Sequence, residues 1–356
     1  MESELKVAEH EIEEESKGLG TFEKFLFVWV GICIVIGIIL SQYVPGLALA
    51  INDLSVGDIS IPIGICLFLM MYPAMLNLQT SELKKLRRNP KPIILTLVSN
   101  WAVAPFVGAG LAALFLQGHP ELIVAVILLA ASPCTAMVLV WGYLAEGNQE
   151  QNVITTSINT ITIIFGYVAL VAFLTGIQNI PIDWVLLLVS ATIFIGLPLA
   201  AGIISKKIIV RRKGETWFSD VYRPFVGKVA IVALLTTLVV LFSLNGSKMI
   251  ESPDLLVLVS IPLLLGFVIV VGFNLLITKL LKLKYKEAII TVIIGSSSHF
   301  EIAIATATAL FGVASIGALG TTMGLFWEVP IMLGLVYLGK WLWKRGFWKN
   351  GPKNSN

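Results

Sequence analysis

Three kinds of side chain in this chain could do chemistry in apolar surroundings: a cysteine, two glutamates and a run of hydroxyls. Cys134 directly follows Pro133 between two apolar runs. Proline donates no N–H, and its ring collides with the carbonyl four residues back, here that of Leu129. A helix through this point must bend or break. A thiol beside a newly opened helix N-terminus gains thiolate character, and a thiolate suits soft, thiophilic centres. Cys33 and Cys66 also lie in apolar stretches but lack such a neighbour, so they read as small hydrophobes. The spacing of the three cysteines fits neither a zinc site nor a disulfide framework.

Glu301 and Glu328 fall inside apolar segments. A charge at the centre of a bilayer is costly, roughly 2.5–3.5 kcal/mol for Asp, Lys or Arg on insertion scales, so an intramembrane carboxylate is a functional candidate by default. A desolvated carboxylate can take up and release a proton near neutral pH. The competing reading is a carboxylate paired structurally with a hydroxyl or backbone group. Ser296, Ser297 and Ser298 precede His299. Their hydroxyls can satisfy backbone groups freed by a second helix break, and His299 can relay a proton or hydrogen-bond a solute. Asn100 and Asn159 are polar groups in apolar runs that either line a site or join helices.

The elements that must position these residues follow from composition. Of the 356 residues, 57% are apolar and 13% charged, against about a quarter charged in soluble domains. Such a chain cannot cover itself with a polar exterior, so lipid is its solvent. The net charge of +3 gives no ground for a nucleic-acid partner. A bilayer core of about 30 Å needs roughly 20 apolar residues in a helix. Suitable segments fall near 24–43, 60–79, 92–115, 122–145, 152–175, 184–205, 226–244, 254–278, 287–311 and 316–341.

The loops order these ten spans. Basic residues collect on the cytoplasmic side. Lys84, Lys85, Arg87, Arg88 and Lys91 follow the second span. Lys206, Lys207, Arg211, Arg212, Lys213 and Arg223 follow the sixth, Lys282, Lys284 and Lys286 the eighth, and Lys344, Arg345, Lys349 and Lys353 the tenth. The other side carries Lys248. Both termini are therefore expected in the cytoplasm. Residues 1–22 read as an acidic solvated tail with Glu2, Glu4, Glu9, Glu11 and Glu13–Glu15, not as a signal peptide. Residues 23–343 read as a transporter-like unit and 344–356 as a second cytoplasmic tail.

Residues 121–147 and 286–312 superpose without a gap when shifted by 165 positions, with Ser132 on Ser297 and Gly147 on Gly312. Both have an apolar first half, a polar interruption and an apolar second half. They are the fourth and ninth spans. Ten spans thus split into approximate repeats at 23–178 and 184–343. An odd number of spans per repeat makes them inverted in topology, an arrangement whose site lies near the midplane where broken helices meet. The expected fold is an all-α polytopic membrane protein of ten transmembrane helices, a 5+5 inverted repeat with helices 4 and 9 broken. Two half-helix N-termini with free N–H groups would then face each other and hold an oxygen-rich solute.

Four blocks resemble the Acr-type arsenite efflux permeases. They are Asn100-Trp101 with Pro105-Phe106, Pro133-Cys134-Thr135-Ala136-Met137-Val138 with Val140-Trp141, Phe300-Glu301-Ile302-Ala303-Ile304-Ala305, and Glu328-Val329-Pro330. They come in that family's order, and the resemblance covers nearly the whole chain. It implies the bile acid/arsenite/riboflavin transporter superfamily, with helices 1, 2, 6 and 7 as a panel and the other six as a core. It also implies plasma-membrane export of arsenite, with antimonite as a second solute, in exchange for protons. The family's essential cysteine falls on Cys134, as the As(III) ligand, and its essential glutamate on Glu328, with Glu301 as a second proton carrier. Asn100, Ser296, Ser297, Ser298 and His299 are the other substrate-binding candidates. The chain departs from the family pattern at Ser298 and His299, where asparagine is frequent, and at Thr160 after Asn159. No Walker A loop is present and no cofactor is called for. The rival within the fold is a sodium-coupled organic-anion transporter. A membrane enzyme or sensor is a weaker rival, since His119 and His299 alone lie near spans and no intramembrane Asp pair occurs. Trp341, Trp343 and Trp348 are expected to form an interfacial belt.

Overall fold

The computed structural model describes residues 25–44, 46, 54–56, 59–76, 90–135, 137–251 and 253–348. The acidic tail, the basic residues 84–88 and the last eight residues lie outside the described residues.

In lipid every backbone polar group must find an internal partner, which makes helix the natural state of these apolar runs. In chain order the helices are α1 (Leu26–Tyr43), α2 (Ile61–Leu76), α3 (Pro90–Phe115), α4 (Pro120–Ala130), α5 (Met137–Leu144), α6 (Gln149–Ile177) and α7 (Trp184–Lys213). They continue as α8 (Arg223–Glu251), α9 (Pro253–Leu280), α10 (Tyr285–Ser296), α11 (Phe300–Phe311) and α12 (Ile316–Lys344). Among the described residues six helices are long and apolar enough to cross a membrane: α3, α6, α7, α9, α12 and the helix through Glu215–Ser247 that contains most of α8. α1, α2, α4 and α11 contain shorter apolar runs. β-structure among the described residues is a two-residue antiparallel pair, Ser55–Val56 with Ile59–Ser60, and one isolated bridge described below.

Local chemistry sets several boundaries. Asn148 caps α6 by accepting from Gln151 N at 3.1 Å, and Ser315 caps α12 by accepting from Ala318 N at 3.0 Å. Asp183 caps α7 by accepting from Val185 N and Leu186 N. Each such cap typically contributes about 1 kcal/mol. Among the described residues three π turns occur, at Ser99–Val103, Thr192–Gly196 and Phe218–Tyr222. Each ends two residues before a proline: Pro105, Pro198 and Pro224. A proline removes one i→i−4 hydrogen bond and crowds the carbonyl it would have used, and a widened turn accommodates both.

The helices pack as two groups. α1, α2, α7 and α8 pack on one another. α1 and α8 approach closely because glycines line their seam: a Cβ on Gly37 would lie 2.9 Å from the carbonyl carbon of Phe242, and one on Gly246 would meet Ser41. Small residues are favoured where helices associate without a hydrophobic drive. The remaining helices form the second group, with α3 against α4, α9 and α10, and α12 against α4, α9 and α11. Apart from neighbours in the chain, the groups meet chiefly where α11 packs on α2 and α7 and where α12 packs on α1 and α8.

α10 and α11 are buried on every side, as all-round apolar helices must be. The outer surface is apolar too: Phe165, Val232 and Val268 are 76%, 64% and 69% exposed. Water would penalise this surface and lipid does not. The expected tryptophan belt is corrected in part. Trp341 is exposed, but Trp343 stacks on Tyr285 at 4.7 Å, and Trp348 is buried with Nε1 donating to Thr278 Oγ1 at 3.1 Å. Its indole joins the turn after α12 to α9 and α10 rather than facing the interface.

Candidate functional site

The site begins with two interruptions. α4 stops at Ala130, Pro133 denies the helix a donor, and the chain re-enters helix at Met137. α10 stops at Ser296, Ser297 is extended (φ −101°, ψ 146°), and α11 resumes at Phe300. The two links lie side by side as an antiparallel bridge, Pro133 opposite Ser298, and His299 N donates to Ser132 O at 2.7 Å. Each link thus supplies a backbone partner that the other, buried and non-helical, would lack.

Side chains complete the crossing. Glu328 of α12 is buried, and its carboxylate accepts from Ser297 Oγ at 2.6 Å, from Ser298 N at 3.0 Å and from Ser298 Oγ. Both carboxylate oxygens are engaged, and hydrogen bonds to a charged acceptor are among the stronger ones. His299 Nδ1 and Glu301 Oε2 are 2.7 Å apart, both residues buried. Cys134 is 2% exposed, and its carbonyl accepts from Asn159 Nδ2 at 3.2 Å. Thr135 Oγ1, Asn159 Oδ1 and His299 Nε2 are buried with no hydrogen-bond partner. A buried polar atom without a partner is costly, so three in this neighbourhood suit a solute that carries its own hydroxyls.

The expectation of free N–H groups at both half-helix starts is narrowed. Those of Ser298 and His299 are already taken, by Glu328 and Ser132. Cys134 lies in the link outside the helices, three residues ahead of α5, rather than on its first turn.

Ser296 belongs to a neighbouring node. Asn274 Nδ2 donates to Ser99 Oγ at 2.8 Å and to Ser296 Oγ at 3.2 Å, and Ser99 Oγ donates to Gly295 O at 2.8 Å. The π turn of α3 brings Ser99 there and leaves Asn100 beside it, buried, with Nδ2 unpartnered. Ser99, Asn274 and Thr135 are absent from the sequence-derived candidates. The usable signals were an asparagine within the apolar α9 and the π turn two residues before Pro105. A Cβ on Gly295 would lie 2.9 Å from Asn274 Oδ1 and 3.1 Å from Ser99 Cβ. Gly295→Ala is therefore expected to destabilise the protein by about 1–3 kcal/mol through overpacking, read as a lower melting temperature in detergent. Gly334→Ala, whose Cβ meets nothing within 4 Å, serves as the unchanged control.

Cys33 and Cys66 lie on α1 and α2, away from the crossing, and Cys33 Sγ approaches Leu235 O at 3.7 Å. Among the described residues no three of His, Cys, Asp and Glu are grouped to hold a metal ion. A soft solute would meet one thiol here, with oxygen and nitrogen groups around it.

Two interrupted helices crossing inside an apolar bundle, with buried titratable groups at the crossing, define a membrane transporter of the broken-helix kind. The comparisons agree. The Sodium Bile acid symporter family matches residues 64–252. An uncharacterised transporter of Synechocystis is 40% identical, over 93% of this chain and 90% of its own length. The arsenical-resistance protein Acr3 of Alkaliphilus metalliredigens is 34% identical over 90% of this chain and 93% of its own. That of Corynebacterium glutamicum is 31% identical over 90% and 89%. The chain belongs to the Sodium Bile acid symporter family, and its resemblance to the arsenical-resistance permeases is borne out.

Proposed function

We propose that this transporter is a secondary active exporter of arsenite, with antimonite as a second solute, working in exchange for protons across the plasma membrane. In this reading α4 with α5 and α10 with α11 each make one crossing. The chain then crosses ten times as two inverted sets of five, with both termini cytoplasmic. The observation that carries the reading is the composition of the crossing: a buried thiol, Cys134, follows Pro133, whose bridge partner Ser298 binds the buried Glu328 and is followed by His299, which holds the buried Glu301.

Arsenite enters from the cytoplasm as the neutral trihydroxide. The Cys134 sulfur bonds to arsenic, one As–OH bond breaks, and the leaving hydroxyl takes the thiol proton as water. Thr135 Oγ1, Asn159 Oδ1 and His299 Nε2 are the unpartnered groups suited to the remaining As–OH groups. Asn100 stands by at the neighbouring node. Proton binding at Glu328 converts one acceptor oxygen into a donor, so its ties to Ser297 and Ser298 must be remade. That couples the proton to the geometry of the broken helix. Glu301, paired with His299, is the second proton carrier. The six-helix core then rocks against the panel of α1, α2, α7 and α8.

Everted membrane vesicles test this. Arsenite accumulation should require an imposed proton gradient and collapse when the gradient is dissipated. Absence of accumulation by well-expressed protein overturns the reading. The family match over residues 64–252 favours one alternative, sodium-coupled transport of an organic anion. Sodium-dependent uptake of such an anion without arsenite movement would establish it.

A further inference from the structure

The two helix groups meet unequally on the two sides of the crossing. On one side lie α5 and α10, whose principal neighbours are helices of their own group: α6 and α12 for α5, with α3 and α9 added for α10. On the other side lies α11, which packs on α2 and α7 of the opposite group.

On that same side one polar side chain of α8 spans the seam between the groups. Asn245 is fully buried, and its Nδ2 donates both to Leu241 O of its own helix at 2.9 Å and to Val313 O at 3.0 Å. Val313 lies in the loop joining α11 to α12. Both ends of this bond are held rigidly. On the α8 side, Gly246 abuts Ser41 of α1, and the Ser41 and Ser247 hydroxyls are 3.3 Å apart. On the loop side, Gly312 turns the chain at φ +85°, Ser315 caps α12, and Gly317 N donates to Glu121 Oε2 at 3.1 Å. Leu241 O also belongs to a helix ladder, so loss of the amide would deprive Val313 O above all.

We infer that Asn245 is a positioning residue of the transport cycle, whose buried hydrogen bond to Val313 O holds shut the barrier on the α11–α12 loop side and so sets the face to which Cys134 is open. The inference rests on the transport reading above. In the proposed orientation the barrier is the outer one, and its closure defines the state that loads solute from the cytoplasm.

The test needs one reactive thiol and two faces. In a Cys33→Ala, Cys66→Ala background, Cys134 is modified with a small membrane-impermeant methanethiosulfonate in right-side-out and in everted vesicles. Pro181→Cys reports sidedness separately, since Pro181 is exposed in the loop between α6 and α7. That loop shares a face with the α11–α12 loop, because α6 and α10 start together, with Asn148 N on Lys286 O. Asn245→Ala should raise modification from the loop face roughly fivefold, the size of shift one buried hydrogen bond brings to an equilibrium, and lower it from the opposite face. Equal rates in both variants, or a loss of thermal stability with no change in the ratio between faces, overturn the inference. Should Asn245→Ala fail to fold, Asn245→Cys with Val313→Cys replaces it. Oxidation should then block Cys134 from the loop face reversibly, and unaltered access overturns the inference. Labelling needs no arsenite, so a side shift in a chain that moves no arsenite upholds the latch and rejects only the substrate.

Discussion

Cys134→Ser is expected to reduce arsenite accumulation in everted vesicles by about a hundredfold, equivalent to ~2.8 kcal/mol at 1.4 kcal/mol per decade. The substitution exchanges one small side chain for another at a position 2% exposed, so packing changes little. The backbone contacts at the link do not depend on the sulfur: Asn159 Nδ2 donates to the carbonyl of residue 134, and His299 N to that of Ser132. What the serine lacks is a soft donor for a thiophilic centre. Melting temperature and protein level should therefore stay near wild type while transport falls. Cys33→Ser and Cys66→Ser, on helices of the panel, should keep more than half of wild-type transport. Retention of more than half the activity by Cys134→Ser would return that thiol to the status of a small buried hydrophobe.

Much of this arrangement is legible in the chain, and the part that is not shares a cause. The break after Ala130 can be read because Pro133 forbids a helical hydrogen bond locally. The second break can be anticipated from Ser296–Ser298 because hydroxyls flank it. Helix limits follow from apolar run length, and Ile316–Lys344 falls close to its expected span. The bridge of Pro133 with Ser298, in contrast, joins residues far apart in sequence. The internal repeat leads the two links to be expected face to face, but no local signal sets which residues pair across them. The same holds for Glu328, whose partners Ser297 and Ser298 are a full helix away, and for Asn274 reaching Ser99. Sequence marks these residues as polar groups in need of partners but does not assign the partners. Trp348 illustrates the converse. Its type and terminal position suggest an interface, yet the turn after α12 folds its indole onto Thr278 and Tyr285. The π turns lie between these cases, since Pro105, Pro198 and Pro224 give a local reason for each that composition alone conceals.

Glu328→Gln is expected to abolish gradient-driven accumulation, a loss of about tenfold or more, while leaving exchange of internal for external arsenite largely intact. The wild-type carboxylate receives three donors: Ser297 Oγ, Ser298 N and Ser298 Oγ. A glutamine oxygen can keep Ser298 N and Ser297 Oγ, while its NH₂ donates to a rotated Ser298 hydroxyl, since hydroxyls serve in either role. The broken helix stays tied to α12, but the tie no longer carries or releases a proton. Glu328→Ala removes the tie itself and leaves the part-buried Ser298 N–H without its partner, a defect of about 1 kcal/mol. It should lower the melting temperature and stop both modes of transport. Counterflow in arsenite-loaded vesicles, compared with accumulation under an imposed proton gradient, separates the two roles. If Glu328→Gln accumulates arsenite like wild type, Glu328 is a structural clasp on the Ser297–Ser298 link, and the proton must be carried by the other buried carboxylate, Glu301, through its contact with His299.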